Sequence, residues 1–161
     1  MNEPYQEVLN GTTIMRHGPG VRHELICGRL HEVVKASVAN LSGTQLLDRR
    51  AQVKLDARLL VCPDLALVTT ATGKLWLAAE IVNSDDHRTD TVVKKEIYEA
   101  WKLPRLWMID PRYDNVEVYH SSEVGLMLKG ILAGSEVLTE KLLPGFQLTI
   151  ADLFRQAAGG S

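Results

Sequence analysis

The sequence predicts an α/β protein in which a sheet of mixed strand direction carries helices on its faces. Apolar, β-branched runs that are typical of strands surround two segments of helical periodicity, residues 21–41 and 90–102. The chain has 161 residues, which fits one domain with a single core. We therefore expect one domain over residues 1–156, followed by a frayed tail, "AAGGS", at 157–161.

The first part of the chain is predicted to form a hairpin and a long helix. "YQEVLNGTTIMRHGPG" alternates apolar and polar residues around an Asn-Gly pair, which is a strong hairpin signal. "VRHELICGRLHEVVKASVANL" repeats apolar residues at helical spacing, which predicts an amphipathic helix over residues 21–41.

The rest of the chain is predicted to be rich in strands. "AQVKLDARLLVCPDLALV" and "KLWLAAEIVN" are apolar runs separated by the turn-like "TTATG". The second helix should stop before Pro104, and Asp90 could cap its start. "RLWMIDP" is typical of a buried strand, and "NVEVYH" follows it after a turn. "GLMLKGILAGSEVL" indicates a further hairpin, and "LPGFQLTIADLF" a short closing helix.

Composition and charge limit the possible partners. No apolar run is long enough to span a bilayer, and the N-terminus lacks the basic and apolar regions of a secretory signal, so we expect a cytoplasmic protein. Cys27 and Cys62 form neither a disulfide framework nor a zinc pattern. The formal net charge is −2, so a nucleic-acid partner would have to be held by a local basic patch, such as residues 49–58 or the surroundings of Arg22.

Two carboxylates interrupt apolar runs in which valine or isoleucine would be expected. Asp64 follows Pro63 within "LLVCPDLALV", and Glu80 lies within "WLAAEIV". Carboxylates are almost never fully buried unless they are paired or bind a metal ion. If the two runs are neighbouring strands, both side chains can emerge on one face of the sheet, where two hard oxygen ligands suit Mg²⁺.

Helical geometry distinguishes the two adjacent lysines that follow. At 100° per residue, the apolar residues of the second helix form one stripe: Val93, Ile97, Ala100 and Trp101. Lys94 lies on the flank of that stripe and can lean toward the sheet, whereas Lys95 should point to solvent. A purely structural role for these residues stays open at this point. In that case Asp64 would end a strand in a turn and Glu80 would pair with a basic residue.

The order of these motifs resembles the Uma-type family of restriction-endonuclease-like proteins in the PD-(D/E)xK nuclease superfamily. "CPDLALV" resembles the Pro-Asp signature and "EIVNS" the glutamate strand, while Asp90, Lys94 and Tyr98 resemble a D-x-x-x-K-x-x-x-Y helix. The superfamily usually carries its lysine two residues after the acid, where this chain has Val82. The resemblance therefore implies that the lysine has moved to the following helix, at Lys94.

The resemblance implies a restriction-endonuclease-like core with an N-terminal hairpin, and a metal-dependent endonuclease that hydrolyses DNA. Asp64 and Glu80 would hold Mg²⁺ or Mn²⁺, and Lys94 would orient water or stabilise negative charge. Glu7 and His23 are possible additional site residues. Cleavage of both strands of a duplex would favour a homodimer. Two alternatives remain open at this stage: a non-catalytic binding or assembly module of the same fold, and a hydrolase that acts on another phosphoester.

Overall fold

The computed structural model describes residues 3–156. The predicted tail at 157–161 lies outside the described residues, so its expected fraying stays a prediction. The strands are β1 (Tyr5–Leu9), β2 (Thr12–Arg16), β3 (Thr44–Leu46), β4 (Val53–Asp56), β5 (Leu59–Val61), β6 (Leu65–Thr69), β7 (Leu75–Ile81), β8 (Arg105–Asp110), β9 (Asn115–Ser122), β10 (Gly125–Ala133), β11 (Val137–Thr139) and β12 (Gln147–Thr149). The helices are α1 (Val21–Val38), a π-helical turn (Thr89–Lys94) that continues into α2 (Lys95–Trp101), and α3 (Ile150–Phe154).

A six-stranded sheet of mixed direction forms the centre of the protein. Its strand order is β10-β9-β8-β7-β6-β3. β7 and β8 pair in parallel, and the other neighbouring strands pair antiparallel. The predicted α/β class with a mixed central sheet is confirmed.

Residues alternate between the two faces of this sheet, and each face has its own core. On β7, Leu77 and Ile81 pack in a core with α1 and α3. Ala78 and Val82 belong to the second core, which contains residues of α2, β1 and β5. Because Glu80 has the same parity as Ala78 and Val82, its side chain faces the α2 side of the sheet.

A second sheet, with the order β2-β1-β5-β4, lies against this α2 side. The predicted N-terminal hairpin is confirmed as β1 and β2, joined at Asn10 and Gly11. Both turn residues have positive φ, 54° and 82°, which is the conformation that Asn-Gly adopts readily in a two-residue hairpin turn.

Two strand assignments from the sequence need correction. Asp64 does not lie inside a strand, because the run 51–68 divides into β4, β5 and β6 and the break after β5 contains Pro63 and Asp64. Proline cannot donate to a sheet ladder, and β5 and β6 belong to different sheets. The segment 125–138 is not a hairpin, since β10 pairs with β9 and β11 pairs with β12. Within residues 3–156, no helix is long and apolar enough to cross a membrane.

Candidate active site

The ammonium group of Lys94 lies between two buried carboxylates that come from distant parts of the chain. Its Nζ is 2.7 Å from Glu7 Oε2 and 2.6 Å from Glu80 Oε2. Lys94 and Glu7 are fully buried, and Glu80 is 2% exposed. Hairpin strand β1, central strand β7 and the end of the π-helical turn therefore meet at one ion-pair cluster.

The π-helical turn sets which residues of this helix face the sheet. Asp90, Lys94, Ile97 and Tyr98 are buried, so the predicted stripe is wrong for Ala100, which is exposed. A π-helical turn bonds i to i+5 and shifts the register of the residues before it relative to an α-helix. Lys94 thus lies on the buried face itself, rather than on its flank.

The predicted orientation of Lys95 is also wrong. Lys95 is half-buried, and its Nζ lies 4.5 Å from the centre of the Tyr119 ring, in a cation–π contact. The two lysines nevertheless point to different places, because one meets carboxylates and the other meets an aromatic face.

Tyr98 contributes a contact that the sequence interpretation missed. Its hydroxyl donates a 2.5 Å hydrogen bond to Glu80 Oε2, the same oxygen that Lys94 approaches. The sequence spacing could have indicated this contact, since Tyr98 follows Lys94 by four residues and side chains at that spacing share a helix face.

Asp64 lies beside Glu80 but is held by other groups. The β6–β7 register pairs Leu65 with Ala79, so Asp64 precedes β6 at the position that faces Glu80. Asp64 Oδ2 accepts a 2.8 Å hydrogen bond from the Ile81 backbone N–H, and Oδ1 accepts one of 3.0 Å from Arg50. The hydrogen-bond partners of Asp64 and Glu80 therefore differ, although the β6–β7 register places the two residues opposite each other.

His23, near the start of α1, reaches the Asp64 end of the site. Its Nε2 lies 3.2 Å from the Ile81 carbonyl oxygen and 3.5 Å from Asp64 Oδ2. Since both oxygens accept, Nε2 carries the proton and donates. Burial opposes the imidazolium form, but the contact with Asp64 outweighs it and raises the pKa of His23 above its usual value.

Arg16 ties the hairpin to the segment that carries Lys94, and sequence reasoning did not find it. Its guanidinium donates to Glu7 Oε1 at 2.6 Å and to Asp90 Oδ1 at 2.7 Å, and its Nε lies 3.3 Å from Asp86. Asp90 also accepts from the Asn83 backbone N–H. It does not cap the helix as predicted, because it lies inside the π-helical turn, whose start has no side-chain cap. Arg16 is 2% exposed, and a charged residue at an inward position of a hairpin strand is the signal that could have revealed it.

Comparison with known proteins assigns the chain to a family. The Uma2 family, described as "Putative restriction endonuclease", matches residues 2–151. The chain belongs to the Uma2 family. It is also similar to the crystal structure of a "putative nuclease" from Anabaena variabilis, with a TM-score of 0.78 and 17% identity over 95% of this chain and 91% of that one. The comparison with curated proteins found no match.

The two acids of the proposed signature in this Uma2 chain have opposite pKa shifts. Burial raises the pKa of Glu80 to about 8, and the pull of Lys94 only partly offsets it. Burial would also raise the pKa of Asp64, but the hydrogen bonds from His23 and the Ile81 N–H hold it at about 2. Asp64 is therefore ionised at neutral pH, whereas Glu80 mostly retains its proton.

A similar contrast separates Glu7 from Glu80, although both contact Lys94. Burial opposes ionisation of Glu7, but Lys94 and the Cys62 backbone N–H lower its pKa. Arg16 adds to the same effect. Glu7 and Glu80 in turn raise the pKa of Lys94 well above its usual value, in spite of its burial. The shared ammonium is thus charged, and Glu7 is the carboxylate that compensates it best.

The oxygen donors of the site fit a divalent cation. Within residues 3–156, no group of three or more His, Cys, Asp or Glu side chains is arranged to hold a metal ion. Mg²⁺, however, commonly binds to one or two carboxylates and completes its octahedron with water. Among the contacts of the described chain, Glu80 Oε1 accepts no hydrogen bond. That oxygen is therefore available to a cation, and binding of the cation would displace the proton that burial favours on Glu80. Glu80 with Asp64 is therefore a chemically suitable pair of ligands.

Proposed function

We propose that this Uma2 chain is a metal-dependent endonuclease that hydrolyses DNA phosphodiester bonds. The observation that supports it best is the 2.6 Å contact between Lys94 Nζ and Glu80, while Asp64 lies opposite Glu80 at the residue that precedes β6. Two acids and a lysine, brought together from three elements, provide both an oxygen ligand pair and a fixed positive charge. Membership of a family described as restriction endonucleases agrees with nucleic acid as the substrate.

Each residue has a distinct role in this proposal. Asp64 and Glu80 hold Mg²⁺ or Mn²⁺, which when bound supplies Lewis-acid chemistry and a water of lowered pKa. Lys94 places a buried positive charge beside Glu80, where it stabilises the negative charge that develops on the phosphate oxygens. Glu7 keeps Lys94 charged and in place, since its Oε2 lies 2.7 Å from Nζ. Tyr98 orients Glu80 through its hydroxyl hydrogen bond.

His23 positions Asp64 rather than the phosphate. Its Nε2 lies near both the Ile81 carbonyl oxygen and Asp64 Oδ2, so the ring joins the start of α1 to the end of β7. A positively charged imidazole there favours the ionised form of Asp64, which is the form that binds a cation.

A non-catalytic module of the same fold is a second candidate, and one observation favours it. Glu7, Asp64, Glu80 and Asp90 all have arginine or lysine partners within the protein. A buried ion-pair network of this kind can position elements without binding a metal ion. This candidate predicts an intact fold with neither metal affinity nor cleavage.

Calorimetric titration with Mg²⁺ and with Mn²⁺ separates the two candidates before a substrate has to be chosen. The endonuclease proposal predicts saturable binding to the parent protein and loss of binding in Asp64→Asn and Glu80→Gln. Because ionised Glu80 is needed, binding near neutral pH should release a proton, so the measured heat should depend on the ionisation enthalpy of the buffer.

Incubation of supercoiled plasmid DNA with each protein and metal then tests the reaction itself. The parent should nick or linearise the plasmid only when metal is present, and the two variants should not. Metal binding without DNA cleavage, combined with hydrolysis of a small phosphodiester, would instead favour a hydrolase acting on another phosphoester. Absence of metal binding by a folded parent would favour the non-catalytic module.

A further inference from the structure

A groove of about 610 Å³ opens beside the carboxylate cluster. Three segments line it: Gly18 with the start of α1, the residues that follow β7, and the residues that follow β8. β7 and β8 run in parallel, so the residues that follow the two strands lie at the same end of the strands in the sheet. The crevice outside the carboxyl ends of parallel strands is where open α/β sheets commonly bind their ligands.

The groove adjoins the candidate active site through two of its lining residues. His23 lines the groove and places Nε2 3.5 Å from Asp64 Oδ2. Val82 also lines it and follows Glu80 by two residues. A molecule bound along the groove would therefore contact His23, which contacts Asp64, and the chain two residues beyond Glu80.

Arg112 is held rigidly at one wall of this groove. Its Nε and one Nη donate to the two oxygens of Asp110 at 3.0 and 2.8 Å, and its guanidinium lies 5.1 Å from the centre of the Tyr113 ring. A guanidinium has five N–H donors, so three remain after this two-point contact. The side chain is 29% exposed and thus accessible to a ligand. It is a pre-organised donor set of the kind that binds phosphate oxygens.

Arg22 provides a second guanidinium, from the α1 wall. It pairs with Asp114 at 2.7 Å, but the two side chains are 38% and 60% exposed, so water screens the pair and a phosphate can replace the aspartate. Asp85 is the carboxylate among the lining residues. Asp85 is not paired with either arginine, whose aspartate partners are Asp110 and Asp114.

We propose that this groove binds the DNA strand next to the scissile phosphate, and that Arg112 and Arg22 contact backbone phosphates there. The inference rests on the proposed endonuclease function and adds to it the surface that holds the substrate. It also gives a chain of net charge −2 a local contact surface for a polyanion, because two guanidinium groups line one groove.

Fluorescence anisotropy with a labelled DNA duplex, titrated without divalent metal over a range of salt concentrations, tests this surface. Arg112→Met and Arg22→Met should each weaken binding and lower the slope of log affinity against log salt by about 1, the loss of one phosphate contact. Arg112→Lys keeps the charge without the planar fork and should bind with intermediate affinity.

Arg155→Met is the matched control. Arg155 also pairs with an aspartate and is 64% exposed, but it follows α3 and does not line the groove. Its replacement should leave both affinity and salt slope unchanged. Thermal unfolding of each variant verifies the fold, and Arg22→Met keeps the test valid if Arg112→Met is unstable, because Arg22 makes an exposed pair only.

The outcomes separate this inference from the nuclease proposal. Arginine-dependent binding by a parent that never cleaves DNA supports the groove and contradicts the nuclease. A parent that cleaves DNA while both arginine variants bind and cleave normally retains the nuclease and overturns the groove. A folded parent that does not bind the duplex overturns the groove as well.

Discussion

Lys94 is the residue whose environment most clearly differs from that of an ordinary surface lysine. An isolated ammonium would lose its charge on burial, but Glu7 and Glu80 raise its pKa instead. The cost of burying the charge is offset only because both carboxylates lie within 2.7 Å. The charge of Lys94 and the ionisation of its partners are therefore linked.

Replacement of Lys94 by methionine should abolish metal-dependent DNA cleavage and also weaken the fold. Removing one partner from a buried ion pair costs about 3–5 kcal/mol, because the remaining charge stays in a site without water. The proton that Glu80 retains, because burial raises its pKa, reduces this cost. Plasmid cleavage, measured well below the midpoint of unfolding, together with chemical denaturation, checks both effects.

Lys95→Met is the matched control for that substitution. Lys95 contacts the Tyr119 ring at 4.5 Å, and such contacts contribute about 0.5–1 kcal/mol when partly exposed. We expect cleavage close to that of the parent and a small loss of stability. Equal loss of cleavage in the two variants would contradict the role assigned to Lys94.

Glu80 should give the free energy of unfolding a characteristic pH dependence. Its folded pKa of about 8 lies above its ordinary value of 4.5, so the folded protein retains a proton that the unfolded chain releases. Its contribution to stability is therefore fully present below about pH 4.5 and is lost as pH rises through about 8. Glu80→Gln, which mimics the protonated form, should lose less stability than the parent between about pH 5 and about pH 9.

Urea denaturation of both proteins across this range measures that difference. Asp64 provides the opposite case, since its pKa of about 2 lies below its ordinary 3.8. Its contribution is present above about pH 3.8 and is lost as pH falls through about 2, so it adds no slope in the neutral range. Parallel stability curves for the parent and Glu80→Gln would show that the pKa of Glu80 is not raised.

At the level of elements, the hairpin and the π-helical turn form one unit through Arg16. β2 contributes Arg16, β1 contributes Glu7, and the π-helical turn contributes Asp90 and Lys94. Because the π-helical turn brings Asp90 and Lys94 to one face, a single arginine can organise both the acid that holds Lys94 and the helix that carries it.

A double-mutant cycle between Arg16 and Asp90 measures this link. Arg16→Met, Asp90→Asn and the combined variant should give a coupling energy of about 2–3 kcal/mol, because both side chains are buried and 2.7 Å apart. The exposed pair of Arg155 and Asp152 offers a matched cycle, with an expected coupling below about 1 kcal/mol. Similar values from the two cycles would mean that the hairpin and helix are not coupled in this way.

The sequence allowed the local features of the fold and the main acids of the site to be predicted. The hairpin followed from Asn10 and Gly11, and the positions of Asp64 and Glu80 were recognisable because carboxylates interrupted apolar runs. Lys94 followed from helical spacing, even though the π-helical turn placed it deeper than expected. These features depend on residues that are close together in the sequence, and the spacing of apolar and polar residues reveals such features.

The contacts that complete the site could not be predicted in this way. Arg16 and Asp90 are 74 positions apart, and Arg50 and Asp64 are 14 apart across a change of sheet. Which basic side chain pairs with which carboxylate depends on how the two sheets pack against each other. The position of a charged residue within a short strand does not reveal its partner in the other sheet. The break at Pro63 was missed for the same reason, since an apolar run reads alike in one strand or in two.

At the scale of the whole molecule, the edge strand β10 is the surface most suited to a second copy of the chain. β10 is the first strand of the six-stranded sheet and spans Gly125–Ala133. Met127, Leu128 and Ile131 on it are 46%, 45% and 51% exposed. An exposed, apolar edge strand is a template for pairing with another strand. Lys129 is the one charged residue on it.

We therefore predict a homodimer that pairs through β10. Two copies related by a two-fold axis would present two sites to the two strands of a duplex, and two-fold dimers are the commonest soluble oligomers. Light scattering at micromolar concentration should give twice the chain mass of 17.9 kDa. Ile131→Glu should shift the protein to the monomer, because it places a charge within the apolar contact. Val124→Glu, at a site that is 89% exposed in the turn before β10, should leave the dimer intact. A parent that scatters as a monomer would contradict the prediction, and a dimer unaffected by Ile131→Glu would place the contact elsewhere.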